Sequence, residues 1–357
     1  MDTKAWRTDA HVHLWAAAEE ARLLELAAAT GSDRMGIACV IERSIVNANP
    51  AAWAAKAEHP GRFYVFGGLD HSQHWSGGRA KGPPLVEQVD LLRAIGCDGI
   101  KMLENKPATR KELDVPVDGD YFAAYFARVE QTGFPVLWHV ADPEEFWDPA
   151  LTPKWARAKG WGYDGTFVKK ERLYAEVERV LARHPLMRVI FAHFFFLSAD
   201  LPRAATLLER FPGVHLDLAP GIELLYNLSK NLPATRAFFT KYADRIVYGT
   251  DISSHNTLAE GKARAGIVTR WLESDEEYRV PPEADFLLGP PEDGIIKGLK
   301  LAPDVVAKIC RGNCEGLLGT PRPLDRELAR RECERLARAV EILTGKPAAE
   351  NHAGQAA

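Results

Sequence analysis

The chain has 357 residues, 46% of them apolar and 26% charged, with a formal net charge of -4. That is the composition of an ordinary globular protein, and it gives no basic footprint for nucleic acid and no polybasic patch for a membrane surface. No stretch reaches the ~18 apolar residues of a membrane span and no apolar leader is visible; the five scattered cysteines form no Cys-x-x-Cys clip, so reduced thiols in a cytoplasmic protein are expected.

In chain order, short apolar runs that read as strands fall at 8–13, 35–41, 63–69, 99–103, 135–140, 188–194, 214–218 and 245–250. Their near-continuous hydrophobicity fits strands buried on both faces. Helical patterns lie between them, at 19–29, 50–58, 85–95, 121–132, 170–183, 201–210 and 233–242. Stop signals such as Thr30-Gly31, Ile95-Gly96, Thr132-Gly133 and His184-Pro185 end several of these helices. Eight strand-then-helix units predict an α/β fold, a distorted (β/α)8 TIM barrel with long βα loops. The barrel is expected over residues 1–322, followed by a packed C-terminal helix within 323–345 and a disordered tail over 346–357.

Three connections exceed a plain barrel loop. Residues 101–120 are polar and lysine-rich, and 252–303 include Gly289-Pro290-Pro291. Residues 141–167 carry Trp147, Trp155, Trp161 and Tyr163, and are expected to cover the mouth as an aromatic lid.

Metal-type ligands recur where the strands end. The first run carries Asp9, His11 and His13, two apart and therefore on one face. His139 closes the fifth run, His193 the sixth and Asp251 the eighth. In parallel α/β folds the C-terminal ends of strands are where sites are built, so these residues converge on one mouth. No Gly-x-Ser-x-Gly, Walker-type loop or Gly-x-Gly-x-x-Gly offers competing chemistry.

This pattern resembles the amidohydrolase superfamily over about residues 6 to 320, and looks most like its amidohydrolase 2 branch, which includes aminocarboxymuconate-semialdehyde decarboxylase and related aromatic-acid decarboxylases. Asp9-Ala10-His11-Val12-His13, Gly99-Ile100-Lys101, Tyr248-Gly249-Thr250-Asp251 and Arg311-Gly312-Asn313 carry the resemblance. It implies one divalent metal on His11, His13, His139 and Asp251, zinc first, with manganese or iron as alternatives. His193 and Asp251 would handle protons. Lys101 would meet an anionic substrate; in the binuclear branch the equivalent lysine is carboxylated and bridges a second metal. The activity so implied is hydrolysis of an amide, lactone or ester-like bond in a small molecule by metal-activated water. Non-oxidative decarboxylation or hydration of a small carboxylic acid is the alternative, and an inactive metal-bound binding protein a third reading. A small-molecule substrate, no nucleic acid or membrane partner, and a homo-oligomer as an open possibility complete the expectation.

Overall fold

A computed structural model describes residues 6–287 and 294–357. The Pro-rich piece Gly289-Pro290-Pro291 lies outside the described residues. Nine parallel strands form one curled sheet: β1 Arg7–His13, β2 Ser32–Ala38, β3 Phe63–Gly68, β4 Gly99–Asn105, β5 Val136–Val140, β6 Val189–Phe191, β7 Val214–Asp217, β8 Ile246–Val247 and β9 Ile252–Ser253. Their order is β8-β7-β6-β5-β4-β3-β2-β1-β9. The last two strands are one barrel position broken in the middle. β8 pairs with β7 through Ile246↔Leu216, and β9 pairs with β1 through Val12↔Ile252. Across the break, Ala10 N–H donates to Tyr248 O at 3.0 Å and Asp251 N–H to His11 O at 2.8 Å, which closes a distorted barrel.

The expected sixth strand is corrected here. It stops at Phe191, because His193, Phe194, Phe195 and Phe196 all take left-handed backbone, with φ between 50° and 57°. Four consecutive non-glycine residues there are costly, about 1 to 3 kcal/mol each. Local bonds hold them: His193 N–H donates to Asp217 Oδ1 at 2.7 Å and the Tyr174 hydroxyl to Phe195 O at 3.0 Å. The eighth strand breaks for a similar reason, since Asp251 sits at φ 56°.

Beneath the barrel, the helix Asn313–Leu318 acts as a stopper. Its Leu317 packs with Ala38, Phe66, Leu137 and Ile190, and its Cys314 with Ala10 and Val247. Arg311-Gly312-Asn313 belongs to this end of the barrel. Arg311 pairs with Glu315 at 3.1 Å, and Asn313 Nδ2 donates to Ala243 O and Ile246 O.

The C-terminal helix runs over Arg326–Thr344 and packs on helices Asn49–Glu58, Ser72–Trp75 and Leu85–Ile95. The tail expected to be disordered instead folds back as the helix His352–Ala356. Asn351 Nδ2 donates to Ala337 O, His352 Nε2–H to Asn47 O, and Ala353 is fully buried. The tail's polar composition hid these three anchoring positions. Among the described residues all five cysteines are free and buried, and no helix is long and apolar enough to cross a membrane.

Candidate metal centre

Strand alternation and the broken eighth strand bring His11, His13 and Asp251 together. One ligand atom from each lies within 4.8 Å of the others. Their hydrogen bonds fix what each ring offers. His11 Nδ1–H donates to Asp217 Oδ2 at 2.8 Å, and His13 Nδ1–H donates to Ala38 O at 2.9 Å. Both Nε2 atoms therefore face the centre as acceptors, that of His11 beside the Lys101 ammonium at 3.3 Å. His13 Nε2 then stands 2.8 Å from Asp251 Oδ1, and His11 Nε2 stands 3.7 Å from the same oxygen. Acceptors face one another here, so a shared proton or a cation has to lie between them. Two imidazole nitrogens and a carboxylate oxygen suit a divalent transition metal, so the residues fit the ion the sequence suggested.

Charge around the trio keeps it in ligand form. Burial, then Lys101, holds the His11 imidazole well below its ordinary value. Burial works against ionising Asp251, but Arg264 and the two histidines hold its carboxyl well below the usual range. The Arg264 guanidinium reaches Asp251 Oδ2 at 3.0 Å and Pro220 O at 3.1 Å. Asp9 is not part of the trio. It is buried and accepts from the Thr250 hydroxyl at 2.6 Å and from the Thr250 and His11 N–H groups, which bolts β1 to the eighth strand.

His139 and His193 stand beside this group. His193 lies with its ring centroid 5.3 Å from His11 and 4.9 Å from His139. Its Nδ1–H donates to Ala219 O at 3.0 Å, and burial pulls it down to about 4. His139 Nε2–H donates to Ala141 O at 2.9 Å and to Asp142 Oδ1 at 3.1 Å, so in this rotamer that nitrogen is turned from the trio. Asp142 is the reason, a carboxylate shared by His139, both 2.7 Å contacts of the Lys106 ammonium, and the Tyr163 hydroxyl.

Lys101, on β4, is 1% exposed, and its ammonium donates to His11 Nε2 at 3.3 Å. Burial pulls it down to about 8. No carboxylate hydrogen-bonds to it among the described residues.

His11, His13, Lys101, His139, Asp142, His193, Asp251 and Arg264 line one cavity of about 840 Å³ at the C-terminal ends of the strands. The long connections build its walls. Phe146, Trp155 and Trp161 come from the aromatic segment, Ser253 from β9, and Trp15 and His255 from the loops after β1 and β9. Trp147 does not line the cavity; it packs on Tyr163 with centroids 4.8 Å apart. Trp15 stacks on His255 at 5.8 Å, whereas Trp138 is fully buried against Phe126 and Phe191. Lys106 lies 4.1 Å over the Trp161 ring, which ties the segment down. Outside the cavity, His71 Nε2 pairs with Glu104 Oε1 at 2.9 Å with both side chains fully enclosed.

Asp217, Asp142 and Arg264 were not singled out in the sequence. A lone acid ending an apolar strand, as in Val214-His215-Leu216-Asp217, is the one signal that points to Asp217. Arg264 sits in the helix Leu258–Glu273 and reads there as surface charge.

Residues 8–320 match the family model described as amidohydrolase, of the amidohydrolase-2 type. No curated protein has a sequence significantly similar to this one. Among solved structures, 5-carboxyvanillate decarboxylase from Novosphingobium aromaticivorans, complexed with manganese and 4-hydroxy-3-methoxy-5-nitrobenzoic acid, is 12% identical with a TM-score of 0.51, covering 89% of this chain and 97% of that one. A protein from Acinetobacter baumannii described as a probable 2-pyrone-4,6-dicarboxylic acid hydrolase, with citric acid bound, is 12% identical with a TM-score of 0.50, covering 88% and 99%. A Staphylococcus aureus protein assigned as an amidohydrolase is 14% identical with a TM-score of 0.52, covering 88% and 99%.

Proposed function

This chain belongs to the amidohydrolase-2 family of metal-dependent enzymes, and we propose that it hydrolyses an amide, lactone or ester-like bond in a small anionic molecule. His11, His13 and Asp251 hold one divalent ion, with His139 as a fourth ligand; zinc is the first candidate, and manganese and iron share its liking for nitrogen and oxygen donors. Such an ion supplies a Lewis acid and draws the pKa of water toward ~7.

The single observation that carries the reading is the state of His193. With Nδ1–H committed to Ala219 O, its Nε2 is left as a proton acceptor in the cavity wall. That is the group hydrolysis needs to take a proton from the attacking water and return it to the leaving atom. Asp217 fixes the turn beneath it through the His193 N–H. Lys101 supplies the cation for a substrate carboxylate, since a buried ammonium needs an anion nearby. Arg264 holds Asp251 ionised, and the aromatic segment limits water.

Decarboxylation of a small carboxylic acid is the second reading, favoured by Lys101, whose ammonium has no carboxylate hydrogen-bonded to it among the described residues and would also hold a carboxylate about to leave. Reconstituted protein, screened on lactones, amides and aromatic acids in isotopically labelled water, separates the two. Hydrolysis puts labelled oxygen in the product. Release of carbon dioxide with no labelled oxygen in the organic product replaces the hydrolase reading with the decarboxylase one. Metal bound with no turnover on any class contradicts both.

A further inference from the structure

Asp142 joins the metal centre to the aromatic segment. It follows β5 by two residues and is buried. Its Oδ1 accepts from the Lys106 ammonium at 2.7 Å and from His139 Nε2–H at 3.1 Å. Its Oδ2 accepts from the same ammonium at 2.7 Å and from the Tyr163 hydroxyl. These hydrogen bonds fill the roughly four lone-pair positions of one carboxylate, so it cannot turn without breaking some of them.

Two of these donors hold the cavity wall. Tyr163 closes the aromatic segment on itself: its hydroxyl reaches back across 21 positions to Asp142, and its N–H donates to Phe146 O at 2.7 Å. Phe146, Ala156, Tyr163 and Ile222 pack as a small core of their own, with Trp155 and Trp161 against it. Lys106, just after β4, lies over the Trp161 ring while it pairs with Asp142.

The remaining donor is the fourth ligand, His139. Ala141 O, at 2.9 Å, can only accept, so His139 Nε2 carries a proton. A ligating imidazole is neutral, with one proton and one lone pair, and the lone pair is then on Nδ1. That atom makes no hydrogen bond among the described residues. Turning the ring over would set a lone pair against two acceptors, Ala141 O and Asp142 Oδ1, for as long as Asp142 stays in place. A carboxylate behind a ligating imidazole fixes the ring's tautomer and direction in this way.

We propose that Tyr163 is a positioning residue for the metal centre: by fixing Asp142 it holds His139 ready to donate through Nδ1, and so it couples ion binding to closure of the aromatic segment. This rests on His139 being the fourth ligand. Linkage makes the coupling reciprocal: the factor that the closed segment adds to ion affinity is the factor that the ion adds to closure. Zinc alone is the probe, on full-length protein stripped of metal. Tyr163→Phe removes the hydroxyl and changes no charge. Its zinc affinity, read with a metal buffer, should fall about 5-fold or more, the lower end of such couplings. Hydrogen exchange separates positioning from packing. In wild type, zinc should slow amide exchange in residues 143–163 by a similar factor, and in Tyr163→Phe that slowing should be lost. Exchange that Tyr163→Phe speeds equally with and without zinc, at unchanged affinity, makes Tyr163 a packing residue and overturns the proposal. Wild-type exchange that zinc does not slow overturns it whether or not the variant folds. Weaker zinc binding in His139→Asn alone overturns it and leaves the ligand assignment standing. Wild-type affinity in His139→Asn overturns both.

Discussion

Asp217 decides what the first histidine offers to the centre. Its Oδ2 accepts the His11 Nδ1–H, which leaves Nε2 as an acceptor facing the centre, and its Oδ1 accepts the His193 N–H. One carboxylate thus sets a ligand and steadies the turn that carries the proton acceptor. Asp217→Asn should weaken metal affinity by about 10- to 100-fold, the usual scale for such a partner. Titration with a metal buffer measures it; unchanged affinity would mean that His11 is oriented by packing alone. Its neighbour His215 makes a separate prediction. Burial, and then Arg245, pulls that imidazole down to about 4. The folded value lies below the unfolded one of ~6.5, so the unfolded chain binds more protons between those limits. Stability is therefore full above about pH 6.5 and falls as pH drops toward 4, by at most about 3 kcal/mol. Denaturant curves of His215→Gln against wild type should converge with falling pH; a constant gap would contradict this.

At the scale of elements, helices at 85–95, 170–183 and 201–210 were legible to the residue, and the structure gives Leu85–Ile95, Lys170–Arg183 and Leu201–Arg210. Apolar periodicity and plain stop signals agreed there, and no tertiary contact pulled against them. Strands six and eight were the opposite case. Phe191-Ala192-His193-Phe194 reads as strand by composition, yet the backbone turns left-handed because Asp217 and Ala219 capture His193. That capture joins residues about 24 apart in the chain, and no local pattern reports it. The site was legible in its ligand types, His11, His13 and Asp251, and silent about the partners that orient them. Asp98 shows how such partners also join elements. It pairs with Lys56 from the helix Asn49–Glu58, accepts the Val65 N–H of β3 at 2.8 Å, and accepts the Arg322 N–H at 2.7 Å. Asp98→Asn leaves the fully buried Lys56 ammonium with Gly96 O at 2.8 Å but no carboxylate, and should destabilise the fold by about 3 kcal/mol. Chemical denaturation checks it, and a loss under about 1 kcal/mol would show that Gly96 O alone satisfies the ammonium.

For the whole molecule, the barrel is a frame that delivers side chains from β1, β4, β5, the turn after β6 and the broken eighth strand to one 840 Å³ cavity. The stopper helix and the folded tail stiffen the opposite end and the flank, away from the chemistry. The central claim is that this frame holds one divalent metal on His11, His13, His139 and Asp251, with His193 moving protons beside it. Elemental analysis paired with turnover, on wild type, His193→Asn and His139→Asn, tests it most directly. The account predicts about one metal per chain in wild type. His193→Asn should keep that metal while turnover falls about 10²-fold or more, the usual scale for a positioned acid–base group. His139→Asn should lose metal and activity together, even though its Nε2 faces Asp142 in this structure. No metal above background in wild type grown with zinc, manganese and iron, or equal metal loss in the two variants, would contradict the account.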